Sequence, residues 1–153
     1  VTYAVIKMRG TVKTKPGIRR TLDLLNLDRT NHCVLVKDNA HYQGMLQKVR
    51  DYVAWGNIDV ETLSIVLRAR GMLEGAEKLT DAYVKNSTDF DGIDSLARAV
   101  VDGEATLQSV PKLKPVLRLH PPRKGHNGIK KPYPEGVLGF HGDNINDLLR
   151  KMR

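Results

Sequence analysis

The feature that most restricts the fold is a hydrophobic period that switches between two and 3.6 several times within the first 58 residues. Residues 3–9, Tyr-Ala-Val-Ile-Lys-Met-Arg, read as a strand, with Ala4, Ile6 and Met8 on one face and Tyr3, Val5, Lys7 and Arg9 on a more polar one. Gly10 ends it, and a polar loop with Lys13 and Lys15 follows. Pro16 suits the first turn of a helix, where its missing amide would have no partner anyway, and Ile18, Leu22 and Leu25 recur at helical spacing. Arg19 and Arg20 lie off that stripe. The run His32–Lys37, nearly continuous through Cys-Val-Leu-Val, predicts a second strand buried on both sides. Asn39 can cap the next helix, in which Tyr42, Met45, Leu46, Val49, Tyr52 and Val53 share a face. A short strand over 53–58 completes strand–helix–strand–helix–strand, a compact α+β unit.

The rest of the chain reads differently. Helices are expected at 60–70 (Leu63, Val66, Leu67), near 80–86, and at 92–102, the last ended by Gly103. Residues 116–120 are strand-like, and a C-terminal helix after Gly142-Asp143 places Ile145, Leu148, Leu149 and Met152 on one side. The expected organisation is a core over 1–58 and a mainly helical extension over 59–153.

Charge follows the same division. The chain of 153 residues carries a formal charge of +8, which points to an anionic partner. Residues 1–56 hold ten Lys/Arg against four Asp/Glu, 57–108 hold five against ten, and 109–153 hold ten against three. Two basic surfaces with an acidic spacer or face between them are expected, so the extension divides into an acidic helical segment (59–108) and a basic loop with terminal helix (109–153). No acidic residue lies between Glu104 and Glu135, where Arg118, His120, Arg123, Lys124, His126, Lys130 and Lys131 form the candidate binding set. Pro121, Pro122, Gly125, Gly128, Pro132 and Pro134 keep much of this stretch out of helix and central strand. Such a loop can follow a phosphate backbone closely, since glycine admits the main chain and each cation releases counterions.

Several chemistries are disfavoured. No stretch approaches the length of a membrane span, no signal peptide is evident, and the single Cys33 excludes an internal disulfide. Adjacent His32 and Cys33 point to opposite faces of a strand and form no nucleophile–base pair, so Cys33 reads as a small buried hydrophobe. One Cys and five dispersed His give no zinc couplets. Gly136, Gly139 and Gly142 match neither a dinucleotide fingerprint nor a Walker loop and read as turn and packing glycines. The Gly125-His-Asn-Gly128 tetrapeptide has prolines where a KH module has helices. Asp89, Asp91 and Asp94 lack an EF-hand's ligand order and read as capping for the helix from Ile93.

The string from Thr21 to Val53 carries a resemblance. It runs Thr-Leu-x-x-Leu-x-Leu-x-Arg-x-x-His-x-Val, then ten residues, then Met-Leu-x-x-Val-x-x-Tyr-Val. This resembles the signature of the large-subunit ribosomal protein family numbered thirty, seven in eukaryotes. Leu117-Arg-Leu-His-Pro-Pro-Arg123 and Glu135-Gly-Val-Leu-Gly139 are similar to the C-terminal part of its longer members. The length fits an archaeal-type member without the long basic N-terminal arm of eukaryotic ones. The resemblance implies a small antiparallel sheet of three strands backed by two helices, related to the ferredoxin-like plan. It implies a structural role in the large subunit in the cytoplasm, on ribosomal RNA near the 5S RNA and beside neighbouring ribosomal proteins. No catalytic residue, cofactor, metal, membrane or small-molecule substrate is implied. By position, Arg9, Lys13, Lys15, Arg19, Arg20, Arg29 and His32 correspond to the family's RNA-facing edge, with Gln43 and Lys48 matching less closely.

With two Phe and one Trp, a stacking platform for single-stranded bases is poorly supplied. Cations in Gly/Pro-rich loops suit recognition of folded RNA by shape and phosphate. The competing readings are a regulatory RNA-binding module outside the ribosome and a small ferredoxin-like hydrolase. The second has no convincing set of base, nucleophile and metal.

Overall fold

All six residues of the first strand, β1 (Thr2–Lys7), are buried, so the sheet around it must be covered on both faces. The computed structural model describes residues 2–125 and 128–153. After β1 come α1 (Pro16–Leu24), β2 (His32–Lys37), α2 (Ala40–Lys48), β3 (Val53–Asn57), α3 (Val60–Arg70), α4 (Asp81–Ser87) and α5 (Ile93–Val101). The chain ends with β4 (Leu117–Arg118), β5 (Gly128–Pro132), β6 (Gly136–Phe140) and α6 (Ile145–Met152). Among the described residues no helix is long and apolar enough to cross a membrane.

Local chemistry explains where the helices start. Pro16 stands at the first turn of α1. The side chains of Asn39, Asp59 and Thr80 accept from the amides of Tyr42, Thr62 and Tyr83 at 2.9, 2.6 and 3.2 Å, satisfying donors that a helix start leaves unpaired. The cap of α5 corrects the expectation from the aspartates at 89–94. Asp81 of α4 accepts from the Ile93 amide at 2.8 Å instead.

The strand order is β4-β2-β1-β3-β6-β5. The strand β1 pairs antiparallel with β2, Val5 opposite Val34, and with β3, Val5 opposite Trp55. Two hydrophobic layers cover this sheet. On one face Tyr3, Val5, Val34, Val36, Val53 and Trp55 meet Leu22, Leu25, Leu27, Leu46 and Val49. On the other, Ala4, Ile6, Cys33 and Ala54 meet Leu63 and Leu67 of α3, Leu96 and Val100 of α5, and Ile145 and Leu149 of α6.

The mixed α+β class agrees with expectation, but several particulars differ. The expected core sheet of three antiparallel strands is present as β2, β1 and β3, but among the described residues the sheet extends to six strands and is not purely antiparallel, because β6 runs parallel to β3, Ala54 opposite Gly139. The extension is therefore less helical than expected. The β5 strand, exposed throughout, occupies part of the basic stretch and sits at the sheet edge in an irregular parallel register with β6. The glycines of 136–142 serve this strand: a Cβ on Gly136 would lie 2.0 Å from the Lys131 carbonyl oxygen. The supposedly polar face of β1 is also buried. Lys7 is 2% exposed, its ammonium donating to the Asp28 carbonyl at 3.0 Å. Cys33 is enclosed, and burial pushes its thiol pKa up to about 12, the behaviour of a small hydrophobe.

Gly56 marks a tight approach between the two halves of the chain. A Cβ there would lie 2.3 Å from the Gly142 carbonyl oxygen and 2.8 Å from Ile145 Cβ. Gly56→Ala is expected to destabilise by about 3 kcal/mol, the upper end for overpacking because a backbone oxygen cannot step aside. Gly44, within α2, faces open space, so Gly44→Ala is expected to stabilise by about 0.5–1 kcal/mol. Urea titration of both variants checks the opposite signs. We also propose that residues 1–58 form a unit, since every buried residue of the first layer named above comes from them. A fragment ending at Ile58 is expected to unfold cooperatively with marginal stability. A fragment without a melting transition at any salt concentration would refute that division.

Candidate nucleic-acid interface

Strand register decides which of the cations meet. Lys7, at the end of β1, lies opposite Val53, and Ile6 opposite Cys33. The loop from Arg9 to Lys15, the turn carrying Arg29, and the start of β3 therefore share one end of the sheet. The pairing of β2 with β4 then sets His32 directly opposite Arg118. A residue of the core and one of the extension, 86 positions apart in sequence, thus become cross-strand neighbours.

Backbone and side-chain bonds hold this end in shape. The amides of Met8 and Arg9 both donate to the Tyr52 carbonyl, at 3.0 and 3.3 Å, and the Arg9 guanidinium lies 5.3 Å from the Tyr52 ring centre. Arg19 donates to the Thr11 carbonyl at 2.8 Å, tying the start of α1 to the loop that holds Lys13 and Lys15. Lys48, in the last turn of α2, comes to the same region: its ammonium would lie 3.5 Å from a Cβ on Gly17. The Asn31 amide donates to the Lys7 carbonyl at 2.7 Å, and the His32 amide to the Arg29 carbonyl at 3.2 Å.

This crowding of positive charge acts on the half-buried His32. Burial presses its pKa below the ordinary histidine value; Arg118 adds to this, Asp28 opposes, and Arg29 and Lys7 act in the same sense as Arg118. A neutral imidazole among cations, with Arg9, Lys13, Lys15, Arg19, Arg20, Arg29 and Arg118 around the same end, is an arrangement that attracts phosphate.

The other candidates are placed elsewhere. Gln43 stands on α2 beside Tyr3, Trp55 and Phe140 and donates to Asp38, away from the cationic end. His120 is exposed, its Nδ1 donating to the Pro121 carbonyl at 2.7 Å, while its amide reaches the Met152 carbonyl at 2.8 Å. The Arg123 amide likewise reaches the Lys151 carbonyl at 3.0 Å, so this segment is strapped to the end of α6. Lys124 lies with Lys151 at a pocket that includes Tyr133 and His141. Lys130 and Lys131 are on the exposed β5, and His126 lies outside the described residues. Among the described residues no group of three or more His, Cys, Asp or Glu could hold a metal ion.

Sequence reasoning missed two kinds of residue. Lys7 belongs to the cationic end, although strand alternation marked it only as polar. Arg70 and Lys78 fall in the acidic segment by sequence, yet line the same groove as Arg123 and Arg153. Only the topology shows either.

Burial also lowers the pKa of His141, whose Nε2 donates to the Val137 carbonyl at 2.6 Å, a bond that opposes the shift. For both imidazoles the folded pKa lies below the unfolded value of 6.5. Their contribution is thus complete above that pH and is lost as pH falls below it, because the unfolded chain takes up protons first. Melting temperature is expected to drop between pH 7.5 and 5.5, and to drop less in a His32→Gln/His141→Gln variant. Equal drops in both proteins would contradict this.

The family described as "Ribosomal protein L30p/L7e" matches residues 3–53. "Large ribosomal subunit protein uL30" of Archaeoglobus fulgidus is 54% identical over 151 residues, covering 99% of each chain. The protein of the same name from Methanoculleus marisnigri is 52% identical over 152 residues, also 99% of each. That from Methanopyrus kandleri is 49% identical over 148 residues, 95% of this chain and 99% of its own. A likeness this high along the whole chain covers the extension as well as the core: the chain belongs to the L30p/L7e family of ribosomal proteins.

Proposed function

We propose that this protein is a structural constituent of the large ribosomal subunit, held in the cytoplasmic ribosome by folded ribosomal RNA in the region of the 5S RNA and by neighbouring ribosomal proteins. The observation that carries the reading is the pairing of His32 with Arg118. It brings Arg118 of the extension to the cationic end formed by the basic core loops, in a chain whose relatives are named as large-subunit proteins along their full length. The contacts fall into two sorts. Lys13, Lys15, Arg20 and Arg29 are exposed and suit phosphate oxygens, which fix position without reading sequence. His32, half-buried and neutral, can give or accept a hydrogen bond at a 2′-hydroxyl, the group that distinguishes RNA.

A family of ribosomal proteins is not a family of enzymes, and the proposed work of these side chains is binding alone. The fixed geometry of the site favours folded RNA: two strands, a helix start and hydrogen-bonded turns present the cations in a set pattern.

The tagged protein is expected to co-sediment with large subunits through a high-salt wash, which a regulatory RNA-binding module outside the ribosome would not do. An Arg29→Gln/Arg118→Gln variant, confirmed as folded, is expected to bind a large-subunit RNA transcript more weakly by roughly five- to eightfold per lost phosphate contact at 0.1 M salt. Unchanged affinity would remove the cationic end from the interface.

A further inference from the structure

The acidic middle segment contributes three cations to a groove that the charge blocks do not reveal. Helix α3 ends in Arg68-Ala69-Arg70, and Gly71 stops it. The chain then turns back on itself: Met72 bridges Lys78, and the Leu79 amide donates to the Gly71 carbonyl at 3.0 Å. This return lays Lys78 beside the end of α3. From the other side, the strapping of Arg123 to the Lys151 carbonyl brings the basic segment to the end of α6, where Arg153 stands. Arg68, Arg70, Lys78, Arg123 and Arg153 consequently line one open groove whose remaining walls are Ile65 and Ala69.

Arg68 is already paired, at 2.8 Å from Asp81 and 3.1 Å from Asp94. Among the described residues, Arg70, Lys78, Arg123 and Arg153 make no ion pair. Helix ends often hold cations near exposed carbonyls, but here the Leu67, Lys151 and Met152 carbonyls are taken by the amides of Gly71, Arg123 and His120. Four like charges in one concavity repel one another, and an anion laid along them removes that cost. Three of the four are arginines, whose planar fork matches a phosphate through two bonds at once.

We propose that this groove is a second phosphate-binding surface, gripping the sugar–phosphate backbone of ribosomal RNA at a place separate from the cationic end of the sheet. It rests on the reading of the chain as an RNA-bound ribosomal protein, and it adds Arg70, Lys78 and Arg153 to the RNA-contacting residues. The acidic segment is then not only a spacer: its two flanks differ. Between α3 and α5 lies a pocket lined by Glu61, Asp94, Asp102 and Glu104 together with Arg68 and Arg98, and the far end of α3 borders the cationic groove. The Arg68 pairs with Asp81 and Asp94 form the border between them.

The test is filter binding of the full chain to a large-subunit ribosomal RNA transcript across a salt series, with each protein confirmed as folded by its melting curve. Arg70→Gln/Lys78→Gln is expected to lower the slope of log affinity against log salt by about 1.4 to 1.8 and to weaken binding on the order of 30-fold at 0.1 M salt. Lys85→Gln/Arg98→Gln removes the same charge from the same segment outside the groove, and affinity is expected to stay within about twofold because exposed distant charges are screened. Equal effects in the two variants overturn the proposal. Should the double variant not fold, Lys78→Gln alone, on an exposed turn, is expected to lower the slope by about 0.7 to 0.9. A Lys13→Gln/Lys15→Gln variant that loses affinity while the groove variant does not leaves the RNA reading standing and rejects the groove. A wild-type chain that fails to bind the transcript overturns both. Polyglutamate competing as well as the transcript, with the same dependence on Arg70 and Lys78, would assign the groove to an acidic protein segment and overturn it as an RNA site.

Discussion

A central strand with no exposed residue imposes the architecture. Because Thr2 to Lys7 are all enclosed, each backbone group of β1 must find a partner within the sheet and each side chain a neighbour above or below. The strands β2 and β3 meet the first demand. The second divides the work along the sequence. The layer over Val5 is supplied by α1 and α2, and the layer over Ala4 and Ile6 by α3, α5 and α6. The extension is thus a structural cover for the core and a carrier of charge at once.

Much of this was legible from periodicity. The positions of α1, β2 and the start of α2 follow from Pro16, the Cys-Val-Leu-Val run and Asn39, because the signals there are local; the helical stripe expected to run on to Val53 instead stops at Lys48, and Val53 opens β3. The strand β6 was not legible, since Gly136-Val-Leu-Gly-Phe140 is short, holds two glycines, and is stabilised by a partner far back in the chain. The buried face of Lys7 was hidden for a related reason. Alternation marks a lysine as outward, and only the Asp28 carbonyl it reaches makes its burial tolerable. The cap of α5 lies twelve residues upstream, at Asp81, outside any local window.

The binding residues divide in the same way. The candidates in the loop after β1 and the turn before β2 stand out in the sequence because motif and charge coincide there. The meeting of His32 with Arg118 needs the β2–β4 register. Counting charge by segment assumes that neighbours in sequence share a surface. A helix breaks that assumption, since α3 turns Glu61 to one groove and Arg70 to another.

The parallel pairing of β3 with β6 also bears on how the chain is made. Ala54 meets Gly139 after 85 intervening steps of chain, so this contact closes a large loop and lies among the slowest to form. A chain synthesised from its N-terminus has its first layer in hand by about residue 58. It cannot seat Gly142 and Ile145 over Gly56 until the chain has been extended that far. For most of synthesis the face with Ala4, Ile6 and Ala54 lacks the cover of α6, and the outer edge of β3 presents unpaired peptide groups. Such an edge invites pairing with another chain. The segment from β6 to α6 therefore acts as a latch, and the nascent protein is most open to aggregation in the interval before it arrives.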